Sequence, residues 1–200
     1  MTCIIDKLRV STLGGELGQT ADETAQKHEQ ILDVSIALFR ERGFTGVSVG
    51  QLMKAAGLTH GTFYNHFASK EALMAECLTR DMQRNISSFD RYPATEQGLA
   101  KYIGEYLSLQ HRNDAAEGCN VAALSSEVRQ HDELREPFTM QLKGTILKLA
   151  TYFPWRSRRS ARGDAIHMYS AMVGAVILAR AVSEEKFAEE ILDEVRRRLP

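Results

Sequence analysis

The spacing of apolar residues along the chain predicts helices almost throughout. From Asp22 onward, hydrophobic residues recur at steps of three and four, which is the period of a helix with one buried face. Gly43 follows this stretch, and glycine is the residue that most often ends a helix in the left-handed conformation. The sequence holds no alternating β-branched runs bounded by turn dipeptides, which are typical of strands. The pattern therefore predicts an all-α fold.

Local signals divide the first part of the chain into short helices. Ser48 is followed three residues later by Gln51, a capping-box arrangement that predicts the start of a second helix. Gly57 predicts the end of that helix. A third, very short helix is then predicted over residues 59–66, and a long fourth helix over residues 70–90.

Beyond Pro93 the helical period continues to a final amphipathic helix over residues 184–199. This order of elements predicts three parts. Residues 1–21 form an N-terminal arm, residues 22–68 form a three-helix unit, and residues 69–200 form a larger helical body. The long fourth helix connects the three-helix unit to this body.

The polar stretch between two apolar regions predicts a helix-turn-helix motif over residues 48–67. Two short helices joined by a tight glycine-containing turn are the components of such a motif. Its apolar positions are expected to lock the helices together, so the remaining positions face outward. These outward positions are Thr59, His60, Gly61, Thr62, Tyr64, Asn65 and His66.

The outward side chains suit the major groove of double-stranded DNA. Threonine can contact a thymine methyl or a base edge, and asparagine can bind adenine through two hydrogen bonds. Tyrosine and histidine can reach phosphate oxygens, which position a protein without reading sequence. Gly61 permits close approach of the backbone, and Lys70 adds a charge beside helix amides that favour phosphate.

The segment 31–73 resembles the DNA-binding domain of TetR-family transcriptional regulators. The resemblance rests on "AAGL", "GTFYNHF" and "SKEAL" in the order that the family has them. It implies a homodimer that binds a palindromic operator, usually as a repressor, and that is released by a small-molecule inducer held in the C-terminal domain. The family's DNA-contact positions correspond to Ser48, Thr59, His60, Thr62, Tyr64, His66 and Lys70.

Two positions depart from the family pattern. His60 stands where the family often has lysine or another small or polar residue, so an obligate phosphate charge is missing at neutral pH. Met53 stands where a small alanine commonly lets two helices approach, so a slightly different interhelical angle is expected.

Composition places the chain among ordinary globular proteins. Hydrophobic residues make up 44% and charged residues 26%, while the formal net charge of −1 does not by itself indicate a nucleic-acid partner. Its three cysteines are few and irregularly spaced, which predicts reduced thiols in a cytoplasmic protein. The longest apolar run, residues 171–179, is about half of a bilayer span. We therefore expect a soluble protein with no membrane partner.

The stretch 164–181 is apolar nearly all round and rich in small residues. A helix that is apolar on every side must be buried on every side, which indicates a subunit interface. Burial inside a single subunit is the alternative. With the final helix, the stretch would build an intermolecular four-helix bundle. The predicted interface residues are Ala171, Gly174, Ala175, Leu178, Ala179, Ile191 and Val195.

Aromatic residues and methionines of the body are candidates for lining an inducer pocket, although such residues at helical spacing are more often simply core. The candidates are Tyr102, Tyr106, Cys119, Phe138, Trp155, Met168 and Met172. Cys119 follows Gly118 near an apparent helix start, where a thiol gains reactivity. It is therefore a candidate redox or electrophile sensor, with a small buried cysteine as the alternative.

The sequence does not favour an enzyme. Cys119 with His131 could imitate a nucleophile and its base, but no nucleophile elbow, phosphate loop or paired metal ligands accompany them. We expect no catalytic residues, no metal and no cofactor. The alternative to a DNA-binding regulator is a helical protein with weak or lost DNA binding that binds small molecules or senses oxidants or electrophiles through cysteine.

Overall fold

The computed structural model describes residues 21–200, and all regular structure in this range is helical. The all-α prediction is confirmed. Apart from Ala21, where the first helix begins, the predicted N-terminal arm lies outside the described residues. The α-helices are α1 (Ala21–Arg42), α2 (Val49–Ala55), α3 (Lys70–Ser88), α4 (Glu96–Tyr106), α5 (Leu109–Asn113), α6 (Asn120–Val128), α7 (Asp132–Tyr152), α8 (Ala161–Ala181) and α9 (Glu185–Arg198).

The short-range signals in the first part of the chain act as predicted. The Ser48 hydroxyl accepts a hydrogen bond from the Gln51 amide at 3.3 Å, and Gln51 Oε1 accepts one from the Ser48 amide at 2.8 Å. This capping box satisfies amides that the first turn of α2 leaves without partners. Gly43 and Gly57 have φ of 75° and 68°, a left-handed conformation in which a side chain is strained. They end α1 and α2.

The third predicted helix is present, and it is a 3₁₀ helix. Residues His60–Asn65 form a 3₁₀ helix, with the Thr62 amide donating to the Thr59 carbonyl at 3.1 Å and the His66 amide donating to the Phe63 carbonyl at 2.9 Å. Glycine and a β-branched threonine within six residues have low helix propensity, and short tight turns are the usual setting of this geometry. We call residues Thr59–His66 the recognition segment.

Buried side chains form two cores. The first core joins α1, α2, the recognition segment and the first half of α3, but it also contains Leu124 and Val128 of α6 and Leu134 of α7. The second core is built from the rest of the body, with α4, α7 and α8 contributing most of it. Packing therefore continues across the boundary predicted after residue 68, and that boundary stays a prediction.

Helix α8 is buried on one side and open on the other within a single chain. Met168, Met172 and Ala179 lie in the second core, whereas Ile166, Ile177 and Leu178 are exposed. The alternative of burial inside a single subunit is therefore wrong for this face of α8, and burial of the face in a subunit interface stays a prediction. Within residues 21–200, no helix is long and apolar enough to cross a membrane.

Candidate nucleic-acid interface

Two phenylalanines hold the recognition segment to the first core. Phe63 is completely buried, Phe67 nearly so, and their ring centroids lie 5.7 Å apart. Met53 is also fully buried, and its carbonyl accepts a hydrogen bond from the Leu58 amide at 2.8 Å. The methionine that replaces the family's small residue thus backs the turn between the two short helices. With both phenylalanines pointing inward, the intervening residues are directed outward.

The structure brings the predicted contact residues onto one surface. Thr59, His60, Gly61, Tyr64 and Asn65 are exposed, while Thr62 and His66 are half-buried at its edge. Among the large hydrophobic side chains of residues 21–200, that of Tyr64 is the most exposed, at 64%. A surface with so many exposed hydrogen-bonding groups and one exposed aromatic ring can satisfy a polar partner such as a DNA groove.

Within this surface, two threonine side chains are fixed against each other. The hydroxyl oxygens of Thr59 and Thr62 lie 2.9 Å apart in a hydrogen bond. One hydroxyl donates to the other, so the pair retains one free proton together with free lone pairs. The bond therefore restricts the direction in which these groups can be offered to a base edge.

Ring contacts orient Tyr64 and His60. The Tyr64 ring meets Phe63 edge-on, with centroids 5.2 Å apart, and the His60 ring at 6.1 Å. His60 also lies beside Gly50, where an added Cβ would stand 3.8 Å from His60 Cδ2. These contacts hold the Tyr64 ring at one edge while most of its surface remains exposed.

His66 is held by α1 at the edge of the surface. Its ring centroid lies 5.8 Å from that of His28, whose Nε2 is 2.6 Å from Glu76 Oε1. Partial burial lowers the pKa of His66, and the nearby His28 and Lys27 lower it further. His66 is therefore a neutral hydrogen-bonding group at pH 7.

Two other predicted contact residues, Lys70 and Ser48, also form interactions within the subunit. The Lys70 ammonium donates to the Phe44 carbonyl and lies 6.0 Å from the centre of the Phe39 ring. Partial burial lowers the pKa of Lys70. The Ser48 hydroxyl is exposed but already serves the capping box. Lys70 thus ties α3 to the loop after α1, and phosphate contact by either residue stays a prediction.

The predicted pocket residues meet in the second core. Tyr102, Tyr106, Cys119, Met168 and Met172 are buried in it. Phe138 and Trp155 pack against it from partly buried positions, and the Trp155 indole donates to the Leu149 carbonyl at 3.0 Å. All seven predicted pocket residues therefore lie in or against the same core. Their function as a ligand site stays a prediction.

Polar groups lie inside this apolar core. The thiol of Cys119, which precedes α6, is 3.2 Å from the hydroxyl of Tyr169. The Tyr106 hydroxyl is buried and has no hydrogen-bond partner among the described residues. Burial raises the pKa of Tyr106 and of Tyr169 well above the ordinary value, so both phenols are neutral. Tyr169 was not among the predicted residues, although it neighbours Met168 on a buried face of α8.

Comparisons with known proteins agree with this geometry. Residues 31–77 match the family model described as bacterial regulatory proteins, tetR family. The transcriptional regulator UidR of Escherichia coli is 32% identical over 159 residues, which cover 78% of this chain and 78% of UidR. The chain belongs to the TetR family of transcriptional regulators. This helix-turn-helix family acts by binding DNA, and its members are not enzymes.

Two further similarities cover different extents of this TetR-family chain. The regulator AcrR of Shigella flexneri is 40% identical over 91 residues, which cover 46% of this chain and 40% of AcrR. The crystal structure of reduced NemR from Escherichia coli superposes with a TM-score of 0.73 at 21% identity, covering 86% of this chain and 94% of NemR. The match to AcrR is therefore partial, whereas that to NemR supports the whole fold.

The TetR-family chain presents an apolar face on its last two helices. Ile166, Ile177 and Leu178 of α8 and Phe187 of α9 are exposed. Among the predicted interface residues, Ala171 and Gly174 are half-buried beside this face, and Ile191 and Val195 are partly buried against the second core.

Two predicted interface residues require correction. Ala175 and Ala179 are 3% and 0% exposed in the single chain. They fill the subunit's own core and have almost no surface left for a partner. The predicted residue Leu178 is exposed, and Ala171 and Gly174 are half-buried, so these three residues of α8 retain surface on the side of Ile177.

The sequence reasoning missed a set of buried polar residues between the two cores. Arg40 of α1 binds Asp81 of α3, and Asp81 also accepts a hydrogen bond from Gln141 of α7 at 2.9 Å. One signal was available, since Asp81 follows Cys77 and Leu78 at helical spacing on the apolar face of α3. A carboxylate on a buried face must find a partner. No group of three or more potential metal-binding side chains converges within residues 21–200.

Proposed function

We propose that this chain is a homodimeric repressor that binds a palindromic operator and releases it when a small molecule enters the C-terminal body. The observation that carries the proposal is the surface on which the fully buried Phe63 holds five exposed residues, namely Thr59, His60, Gly61, Tyr64 and Asn65. Within residues 21–200 no other element covers this surface, and its threonine, histidine, tyrosine and asparagine side chains match groove and phosphate chemistry.

The proposed contacts divide by task. Thr62 and Asn65 read base edges, whereas Thr59 fixes the Thr62 hydroxyl through their mutual hydrogen bond. His60, Tyr64 and His66 bind phosphate oxygens, and His66 does so as a neutral group. The remaining proposed contacts are Gly61, which lets the backbone approach, and Ser48 and Lys70, which flank the recognition segment.

DNA binding is tested by selecting duplexes from a random pool with the full chain and measuring their affinity. Tyr64→Ala is expected to weaken binding at least about tenfold, the effect of losing a positioned contact of about 1.4 kcal/mol. Lys186→Ala, at an exposed position of α9, is the control and should bind as the unaltered chain does. Failure of the unaltered chain to enrich any duplex would remove the proposal.

Dimer formation is proposed through the apolar face of α8 and α9. Ile166, Ile177, Leu178 and Phe187 form an exposed apolar surface, which is unusual for a monomer and common at obligate interfaces. Gly174 lies on this side of α8, and a Cβ added to it would meet no atom within 4 Å. A second α8 could therefore pack closely here.

The inducer site is proposed in the second core around Tyr102, Tyr106, Met168 and Met172. The buried Tyr106 hydroxyl supports this position, because a buried donor without a partner is costly and a ligand acceptor could satisfy it. The test is a thermal-shift screen of small molecules with the unaltered chain and Tyr106→Phe. A ligand bound there should stabilise the unaltered chain more than the variant.

Cysteine-based sensing is a second candidate, favoured by the position of Cys119. Its thiol stands at the N-terminus of α6 against the Tyr169 hydroxyl, so oxidation or alkylation would disturb both helices. Its exposure of 8% opposes rapid reaction. Mass spectrometry after mild electrophile treatment decides the matter. Preferential labelling of Cys119 supports sensing, whereas equal labelling of all cysteines or none at Cys119 contradicts it.

A further inference from the structure

A buried polar network joins the two cores through Arg40. Its Nε donates to Asn120 Oδ1 at 2.6 Å, its Nη1 donates to the Ala116 carbonyl at 2.7 Å, and its Nη2 binds Asp81 Oδ1. The side chains of Arg40 and Asp81 are only 9% and 11% exposed. One guanidinium near the end of α1 is thus bound to α3, to the start of α6 and to the loop before α6.

The partners of Arg40 lie where the second core begins. Asn120 is the first residue of α6 and directly follows Cys119, whose thiol contacts Tyr169 in the second core. At the other end of α6, Leu124 and Val128 belong to the first core, and Glu127 accepts hydrogen bonds from the Thr45 amide and hydroxyl at 3.1 and 3.2 Å. Helix α6 therefore contacts one core at its first turn and the other along its remaining length.

The geometry of the guanidinium makes this connection sensitive to position. Its planar donors satisfy Asp81, Asn120 and the Ala116 carbonyl only while the three acceptors keep their directions. A displacement beside Cys119 moves Asn120, the next residue, and must break or bend these bonds. Asp81 holds the same guanidinium to α3, so the disturbance is transmitted to α1 and α3 of the DNA-binding unit.

We infer that Arg40 is the positioning residue that couples the first turn of α6 to the DNA-binding unit, so that a change in the second core alters the placement of the recognition segment. The inference that DNA binding is affected rests on the proposed function. The inference that Arg40 links the two cores does not, and it can be tested without DNA.

The chain offers a matched control in Arg80. Its guanidinium pairs with Glu29 and Asp33 at 2.6 and 3.1 Å and donates to the Glu29 carbonyl at 3.0 Å. It therefore joins α3 to α1, as the Arg40–Asp81 pair does, through bonds that go to α1 and not to α6. A role of Arg40 limited to holding α1 and α3 together would make Arg40→Met and Arg80→Met equivalent.

The first measurement is amide hydrogen exchange without DNA at residues 116–123. Arg40→Met is expected to accelerate exchange there at least about tenfold, because the hydrogen bonds that close the start of α6 are lost. Asn120→Leu removes the acceptor on α6, leaves the Arg40–Asp81 pair intact and should accelerate exchange by the same factor. This second variant keeps the test possible if Arg40→Met does not fold. Arg80→Met should leave exchange at these residues close to that of the unaltered chain. Equal exchange at these residues in all three variants overturns the inference.

The second measurement repeats the exchange with a duplex selected by the unaltered chain. Binding should slow exchange at residues 116–123 in the unaltered chain and in Arg80→Met, but not in Asn120→Leu, although all three bind the duplex. Slowing in Asn120→Leu equal to that of the unaltered chain contradicts the coupling. If no duplex is selected, the proposed function fails, and the first measurement still decides whether Arg40 connects the cores.

Discussion

The hydroxyl oxygens of Thr59 and Thr62 lie 2.9 Å apart, so the recognition segment carries a hydrogen-bonded pair on its outer side. Thr62→Val keeps the shape of the side chain and removes its hydroxyl. If Thr62 reads a base edge, the variant should change preference at one base pair by about 1–3 kcal/mol of discrimination. The measurement is duplex selection followed by affinity for single-base variants.

Thr62→Ser retains the hydroxyl and is the control for this experiment. It should keep the base preference of the unaltered chain at the affected position. A uniform loss of affinity in Thr62→Val, with an unchanged preference at every base pair, would show that Thr62 positions the protein and does not read sequence.

Two glycines in the helix-turn-helix motif should respond oppositely to alanine. Gly57 has φ of 68°, so Gly57→Ala is expected to lower the free energy of unfolding by about 1–2 kcal/mol. At Gly61, where φ is not positive, an added Cβ would meet no atom within 4 Å, so Gly61→Ala should leave stability unchanged or raise it slightly. Urea denaturation measures both.

Gly61→Ala should nevertheless weaken binding of the selected duplex, because its methyl group stands on the exposed surface that approaches DNA. If Gly61→Ala binds the selected duplex as tightly as the unaltered chain does, the proposal that the backbone at Gly61 approaches DNA closely is wrong. Equal destabilisation by both variants would contradict the turn geometry.

His66 should make stability depend on pH. Its pKa is lowered in the folded state, chiefly by burial and further by His28 and Lys27. The unfolded chain therefore binds the proton more readily, so the free energy of unfolding falls as pH drops below the ordinary histidine pKa of about 6.5. The unfolding free energies at pH 7.5 and 5.5 should differ less in His66→Gln than in the unaltered chain.

The exposed Asn65, which is the chain neighbour of His66 and does not titrate, provides the comparison for this pH effect. Asn65→Gln is expected to retain the full pH dependence of the unaltered chain. If His66→Gln also retains the full pH dependence of the unaltered chain, protonation of His66 is not coupled to folding. The packing of His66 against α1 would then not be the cause of the pH dependence of stability.

The apolar face of α8 predicts a dimer that a single charge can disrupt. Leu178→Glu should raise the dimer dissociation constant at least about tenfold, since it buries a carboxylate in each half of the interface. Leu147→Glu on α7 is matched in residue type and in exposure, both leucines being 57% exposed. Sedimentation should give the Leu147→Glu variant the same dimer dissociation constant as the unaltered chain. If both variants dissociate, or if neither does, the proposed dimer face is wrong.

The sequence predicted the elements whose determinants are local. The capping box of Ser48 and Gln51 specifies the start of α2 through bonds within three residues. The two glycines at positive φ specify the C-terminal ends of α1 and α2 through their own backbone angles. The 3₁₀ form of His60–Asn65 was missed because apolar spacing does not distinguish so short a turn from an α-helix.

Features that depend on long-range packing could not be predicted in the same way. The small residues of α8 indicated close approach, but Ala175 and Ala179 pack inside the subunit, because which face turns inward depends on distant helices. The partners of Arg40 lie 41, 76 and 80 residues away in sequence, and no local pattern brings them together. Lys70 was predicted from its charge, its place at the start of α3 and the family position it occupies, whereas its bond to Phe44 depends on the folded loop.

The most direct test of DNA reading by paired recognition segments is methylation interference on a duplex selected by the unaltered chain. If two recognition segments read DNA, methylation of guanine N7 interferes at two symmetry-related patches in the major groove, with centres about 10 base pairs or a multiple apart. Tyr64→Ala should bind this duplex weakly and leave the two patches in place. One unpaired patch, or no interference in the major groove, would contradict DNA reading by paired recognition segments.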